Sequence, residues 1–365
     1  MDLFVFSSDY EHVILCVILL ALFLIGLKRK KEKKRELVLD KNFSSVLKGI
    51  ACIFILMGHY ESTMHYPLDY YPKCLGWFVR LTTANVALVW FMFISGYGLT
   101  ISKSKIDAPL YDLGRRCGKV FFPMLFVFLS SLFLFVILPE KANMSCPGDL
   151  LIPEELHMFN GKQDFEILKL FYAPIDWYWY VWCILIFYCC FYFSLFFSRK
   201  YNINTTILLI VLLGLYYTCA YILLGVSWGH YYRLTWAFLF GHLFAKRHEL
   251  SLCITGLGLF LGGITFYVED YIMILNFIIS ILIILLLSCL NKKYEYKGKS
   301  LLFLGTISYF YYLSHRRICW VLCCYLNIYD LLFWVLLTIL VSYILYWFYN
   351  NSDVVKNLYG QYVCK

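Results

Sequence analysis

Lys48 and His59 stand eleven residues apart in the run Lys48-Gly-Ile-Ala-Cys-Ile-Phe-Ile-Leu-Met-Gly-His59. Read as a helix, that spacing brings both side chains within about 20° of one face and separates them by roughly 16 Å along the axis. The residues between them are mostly apolar, and an ionisable group inside such a segment is a functional candidate by default. A neutral imidazole can take a proton from a hydroxyl group as a general base. Gly49 and Gly58 carry no side chain, which lets a neighbouring helix or a ligand approach closely. A histidine hydrogen-bonded between two helices fits the same spacing, so both readings stand at this point.

The elements that must position such a pair are membrane spans. The chain is 62% hydrophobic and 15% charged, against about 25% charged residues in a soluble domain. A bilayer core takes about 20 apolar residues per crossing. Apolar runs of that kind occupy residues 12–27, 43–66, 82–101, 120–138, 177–197 and 206–224, then 231–245, 250–268, 271–290, 301–325 and 331–349. The expected fold is an all-α polytopic transmembrane bundle of about 10–11 spanning helices, the first and seventh runs being short. Lys and Arg concentrate in alternate connections: residues 28–41, 103–119, Arg199 with Lys200, Lys246 with Arg247, and 292–299. The other connections are sparse or acidic, with Glu61, Asp69, Glu269, Asp270 and Asp330. This bias predicts a multi-pass protein of the cell membrane with its N-terminus outside and its C-terminus in the cytosol. The net charge of +9 then reads as topology, and the basic run near Lys28 as a lipid anchor rather than a nucleic-acid site. The first run has no positive residues before it and many after it, so it is expected to be an anchor rather than a cleaved leader. Three parts follow: an anchor helix and basic loop at 1–41, a transmembrane domain at 42–349, and a cytosolic tail at 350–365.

Several chemistries are not signalled. There is no phosphate-binding Gly-rich loop and no His-Glu-x-x-His zinc motif, and no Ser–His–acid set. His59 and His65 lie six apart, off any common helix face, so no metal is expected there. Of fifteen cysteines, Cys52, Cys183, Cys189, Cys190, Cys219, Cys323 and Cys324 fall inside spans, where they act as small apolar groups. Cys74 and Cys146 share the outer side, which allows one disulfide.

The Lys48…His59 run resembles the opening motif of the acyltransferase family 3 membrane proteins, in which a basic residue, usually Arg, precedes an essential histidine with ten residues between. Further segments resemble that family in order. They are Phe91-Met-Phe-Ile-Ser-Gly-Tyr-Gly98, Arg115-Arg116-Cys-Gly-Lys119-Val-Phe-Phe-Pro123, Asp176-Trp-Tyr-Trp-Tyr180, Arg233-Leu-Thr-Trp-Ala-Phe-Leu-Phe-Gly241 and Leu304-Gly-Thr-Ile-Ser-Tyr-Phe-Tyr-Tyr-Leu-Ser-His315. Lys48 and Lys119 stand where the family has Arg; Lys keeps the charge but lacks the planar fork.

The resemblance implies an integral membrane O-acyltransferase, with acetyl the expected acyl group. It would use acyl-CoA as donor substrate, with no bound cofactor, and a hydroxyl of an envelope or exported glycan or lipid-linked sugar as acceptor. It assigns catalysis to His59 as general base, supported by Lys48. Arg115, Arg116 and Lys119 would meet the CoA phosphates, for which clustered cations are suited; an ordinary basic anchor is the equal alternative. Ser95, Arg233, Ser308 and His315 are expected at the acceptor. Ser308, Tyr312 and His315 share a face that either lines a tunnel or binds helices together, and Ser95 beside Gly96 also fits close helix packing. At least one of Arg316 and Arg317 is expected to pair with an acid or to snorkel. Two rivals remain: a transporter or flippase, which would show inverted repeats, and a non-catalytic scaffold of envelope-polymer assembly.

Overall fold

The computed structural model describes residues 2–30, 39–65, 84–103, 106–137, 179–224, 228–246 and 271–352. Among these residues ten α-helices form one bundle: α1 (Asp2–Gly26), α2 (Lys41–His65), α3 (Ala84–Ser102), α4 (Pro109–Ile137), α5 (Trp179–Tyr201), α6 (Thr205–Leu224), α7 (Trp228–Lys246), α8 (Tyr271–Lys293), α9 (Lys299–Val321) and α10 (Leu331–Asn351). Each apolar run coincides with one helix, except 250–268, which lies outside the described residues, as do Cys74 and Cys146. Two short strands, β1 (Leu27–Arg29) and β2 (Tyr294–Tyr296), pair antiparallel with Leu27 opposite Tyr296.

Local chemistry sets several helix ends. The Asp40 carboxylate accepts from the Phe43 amide at 3.0 Å and Asp330 from the Phe333 amide at 2.6 Å, each satisfying a donor that has no partner within its helix. Pro109 opens α4, where a missing N–H is harmless. Asn327, at φ 51°, turns the chain after the π-helical turn Leu322–Leu326 that extends α9.

Two helices extend beyond their apolar runs. α1 begins at Asp2 rather than near residue 12, and α4 begins at Pro109. Hydropathy marks only the part of a helix that lipid surrounds, whereas the hydrogen-bond ladder continues into polar sequence. Arg115, Arg116 and Lys119 therefore stand on helical turns, not in a loop.

Among the described residues four helices are long and apolar enough by themselves to cross a membrane: Lys41–Tyr60, Trp179–Tyr201, Asn276–Lys293 and Leu331–Asn351. α10 shows how the surface is arranged. It buries Thr338 and Ser342 but exposes Leu336, Leu340, Ile344 and Trp347. A helix that hides its polar face and presents its apolar one suits lipid, not water.

The connections meet in two groups. The 28–41 and 292–299 connections join through β1 and β2, and Lys30 Nζ bonds Asn291 Oδ1 at 2.9 Å. Near that end Arg199 donates to the carbonyls of Ile106 and Asp107 (2.5 and 3.0 Å), and Lys103 to Thr205 Oγ1 at 2.8 Å. Elsewhere Tyr60 donates to the Tyr329 carbonyl at 2.7 Å, and Glu11 accepts from the Leu331 amide at 2.8 Å. The basic connections thus gather with one another, as an alternating path through a bilayer requires.

Two close helix crossings build the centre. At the α2–α9 crossing, a Cβ added to Gly305 would strike the Ser45 carbonyl, and one on Gly49 would lie 2.9 Å from the Leu301 carbonyl. Between α3 and α7, a Cβ on Gly96 would meet the Phe238 carbonyl and one on Gly241 the Phe93 carbonyl. Small residues here let backbones touch, which is how helices associate where lipid removes the hydrophobic drive.

Candidate active site

His59 lies near the end of α2 remote from Lys41, and the α2–α9 crossing brings His315 beside it, with ring centroids 5.1 Å apart. The Cys52 thiol donates to the Ser308 carbonyl at 3.0 Å, about two helical turns away on each helix, fixing the register of the two helices. His315 is 3% exposed. Its Nδ1 lies 2.6 Å from the Tyr312 carbonyl. A carbonyl only accepts, so Nδ1 carries the proton and Nε2 holds the lone pair. That Nε2 is buried with no hydrogen-bond partner among the described residues. His59 is half-buried. The pair therefore places imidazole nitrogens where a hydroxyl could give up its proton.

Aromatic rings enclose the pair. Tyr312 lies 5.8 Å from His315 and 5.7 Å from Tyr180, whose hydroxyl donates to the Leu88 carbonyl at 2.9 Å on α3. Tyr60 packs edge-on to Trp334 at 5.0 Å and holds the end of α2 against α10. Beside the proline in α4, the Tyr309 hydroxyl donates to the Val120 carbonyl at 2.6 Å. Pro123 removes one backbone donor and loosens the ladder there, and a side chain from α9 docks at that place.

At the other end of α2, half-buried Lys48 lies within electrostatic range of Arg116. Arg116 Nη2 donates to Ser102 Oγ at 3.2 Å, and its charge lies within electrostatic range of Tyr192. Tyr188 bonds Ser95. Lys48, Arg116, Ser95, Tyr188 and Tyr192 thus draw α2, α3, α4 and α5 together around one polar locus. Arg115 instead pairs with Asp112 at 2.7 Å, and Lys119 is exposed. Of the three cations assigned to the donor, only Arg116 has the Lys48 charge in range.

The remaining assigned residues divide. Ser308 donates to the Gly305 carbonyl at 2.9 Å and is buried in the α2–α9 contact. Arg233 falls on the first turns of α7, and its side chain lies outside the described residues. Sequence reasoning passed over Asp112, Tyr188, Tyr192 and His242. The His242 ring is fully buried between Thr100 Oγ1 at 2.7 Å and Thr206 Oγ1 at 3.1 Å, and Lys246 Nζ donates to Thr206 at 2.6 Å. Its only signal was adjacency to Gly241.

A family model described as an acyltransferase domain matches residues 41–350. No curated protein and no solved structure matches the chain.

Proposed function

The chain belongs to the acyltransferase domain family, and we propose that it transfers an acyl group, acetyl foremost, from acyl-CoA to a hydroxyl of an envelope glycan or lipid-linked sugar. The observation that carries this reading is the His59–His315 pair, with ring centroids 5.1 Å apart, His59 standing on the helix whose other end places Lys48 near Arg116.

His59 removes the acceptor hydroxyl proton as its oxygen attacks the thioester carbon. The carbon–oxygen ester bond forms, the carbon–sulfur bond breaks, and the proton passes from imidazole to the departing CoA thiolate. His315, with Nδ1 committed to Tyr312, keeps its Nε2 lone pair for the acceptor or for orienting His59. Arg116 and Lys48 supply positive charge for the donor phosphates, and Ser95 sits at the same locus through Tyr188. The basic connections face the cytosol, so donor phosphates meet Arg116 from inside and the acceptor meets His59 from the outer side.

Purified protein given acetyl-labelled acetyl-CoA and extracted envelope glycan should move label into an alkali-labile ester. The same glycans, compared by mass spectrometry with and without the protein, should differ by acyl groups. No label transfer and identical glycans would end this reading. An epitope inserted after Asn202 should be reached by antibody only after permeabilisation; staining of intact cells would reverse the orientation.

A further inference from the structure

Lys103 follows α3 and Lys246 ends α7, and both side chains reach the first turn of α6. Lys103 Nζ donates to Thr205 Oγ1 at 2.8 Å and Lys246 Nζ to Thr206 Oγ1 at 2.6 Å. The bonds behind these threonines have a fixed direction. Thr100 spends its hydroxyl proton on the Gly96 carbonyl at 2.8 Å, so it accepts from His242 Nδ1, and His242 Nε2 holds the lone pair. Thr206 then donates to that Nε2 at 3.1 Å, and Thr205 donates to Ser198 Oγ at 2.8 Å. Both threonines therefore meet their lysines as acceptors, and each ammonium is held in position with further N–H groups left to donate.

A topology anchor needs only its charge, not a fixed position. Here the cations are also brought together. Arg199, which donates to the Ile106 and Asp107 carbonyls, lies within electrostatic range of Lys103, and Lys103 within range of Lys246. Among the described residues no carboxylate pairs with any of the three. The N-terminus of α6, a helix of 20 residues, adds positive partial charge of its own. Lys246 and Arg199 are exposed and Lys103 is half-buried, so an anion can reach them. Neutral hydroxyls that pin like charges side by side, with no acid among them, prepare a place for an anion.

A dianionic phosphate group suits the place. It carries a charge of about −1.5 to −2 near pH 7 and presents several acceptor oxygens. Lysine binds phosphate as a compact point charge and arginine as a fork. We propose that Lys103, Lys246 and Arg199 form a phosphate-binding site at the end of the bundle where the basic connections gather. The group arrives either on a lipid headgroup or on a soluble molecule. The inference is separate from acyl transfer, because none of the three residues is assigned to the donor and binding is read without acyl-CoA.

Purified protein in neutral detergent tests it, with phosphatidic acid, phosphatidylcholine and inorganic phosphate as probes at constant ionic strength. Native mass spectrometry should show phosphatidic acid retained about tenfold more tightly than phosphatidylcholine if the source is a lipid. A saturable rise in thermal midpoint with phosphate, beyond that with chloride, identifies a soluble source. Either result supports the site, and Lys246→Gln should weaken the binding about tenfold. Thr206→Val keeps every charge but removes the anchor of Lys246, and should weaken it about threefold or more. If Thr206→Val does not fold, Lys246→Gln, a change at an exposed position, carries the test alone. Absence of both preferences in the wild type overturns the proposal. Undiminished binding in Lys246→Gln or in folded Thr206→Val overturns it too, by showing diffuse attraction to a basic surface. Loss of binding in folded Arg116→Gln would do the same, by moving the anion to the Lys48–Arg116 locus.

Discussion

His59 on α2 and His315 on α9 face one another with ring centroids 5.1 Å apart, and the Tyr312 carbonyl fixes which nitrogen of His315 keeps its proton. General base assistance is typically worth about 10²–10⁴ in rate. His59→Ala should leave an inserted, stable protein whose transfer rate falls at least about 100-fold. Glutamine can hydrogen-bond but cannot take the proton, so His59→Gln should be nearly as inactive. Transfer rates near wild type in His59→Gln would show that the ring only holds helices together.

Donor recognition should depend unequally on the three cations of α4. Arg116 neighbours Lys48, while Arg115 is paired with Asp112 and Lys119 is exposed. Replacing all three by Gln should raise the apparent KM for acyl-CoA about tenfold or more, and Arg116→Gln alone should reproduce most of that rise. Lys119→Gln should change it little. Added salt should raise the wild-type KM through screening. A Lys119 effect larger than that of Arg116 would move the donor off this locus.

Gly305 offers a test of whether the histidine pair depends on the helix crossing. Any Cβ there meets the Ser45 carbonyl, so Gly305→Ala must push α9 away from α2. Overpacking of this kind costs about 1–3 kcal/mol, and separation of the rings should lower transfer without altering insertion. Gly214→Ala is the control, because a Cβ there meets nothing within 4 Å. Equal activity of the two variants would uncouple catalysis from the crossing.

Lys103 and Lys246 give the protein a pH dependence of known sign. Burial first, then the Arg199 charge, holds the Lys103 ammonium below the usual lysine range; burial and then Lys103 do the same to Lys246. A group lowered on folding binds fewer protons in the folded state, so stability rises as pH climbs toward the ordinary lysine value near about 10.4. Lys103→Gln keeps a donor for Thr205 and removes one charge. Its stability in detergent, read from the thermal midpoint, should equal or exceed that of the wild type at neutral pH, by up to about 1 kcal/mol. The rise in midpoint toward alkaline pH should be smaller than in the wild type. An unchanged pH slope would show that the two ammonium groups do not sense each other.

Much of the helix content was legible because it is local. An apolar run of sufficient length announces a helix, and the Lys48–His59 interval places two groups on one face of it. The meeting of His59 with His315 was not legible, because it depends on Gly49 and Gly305 allowing two distant helices to touch. Ser95 and Gly96 show the same limit. Their motif and the one ending at Gly241 read as separate words, yet they are the two sides of one crossing. The start of α4 was missed because Arg115, Arg116 and Lys119 are polar, and polarity reports the solvent rather than the helix. β1 and β2 are three residues each, too short for any period to appear.

The α2–α9 contact has a consequence for the order of synthesis. The Cys52 thiol and the Ser308 carbonyl it reaches are 256 residues apart in the chain. A nascent chain therefore threads α2, α3 and every helix up to α8 into the bilayer before the partner of His59 leaves the ribosome. Contacts of such long range form late in folding. Until α9 arrives, the growing protein has the Lys48–Arg116 locus but not the paired histidines. A chain terminated before α9 is then expected to be catalytically silent, and hydrolysis of the donor by half-made enzyme has no site in which to occur.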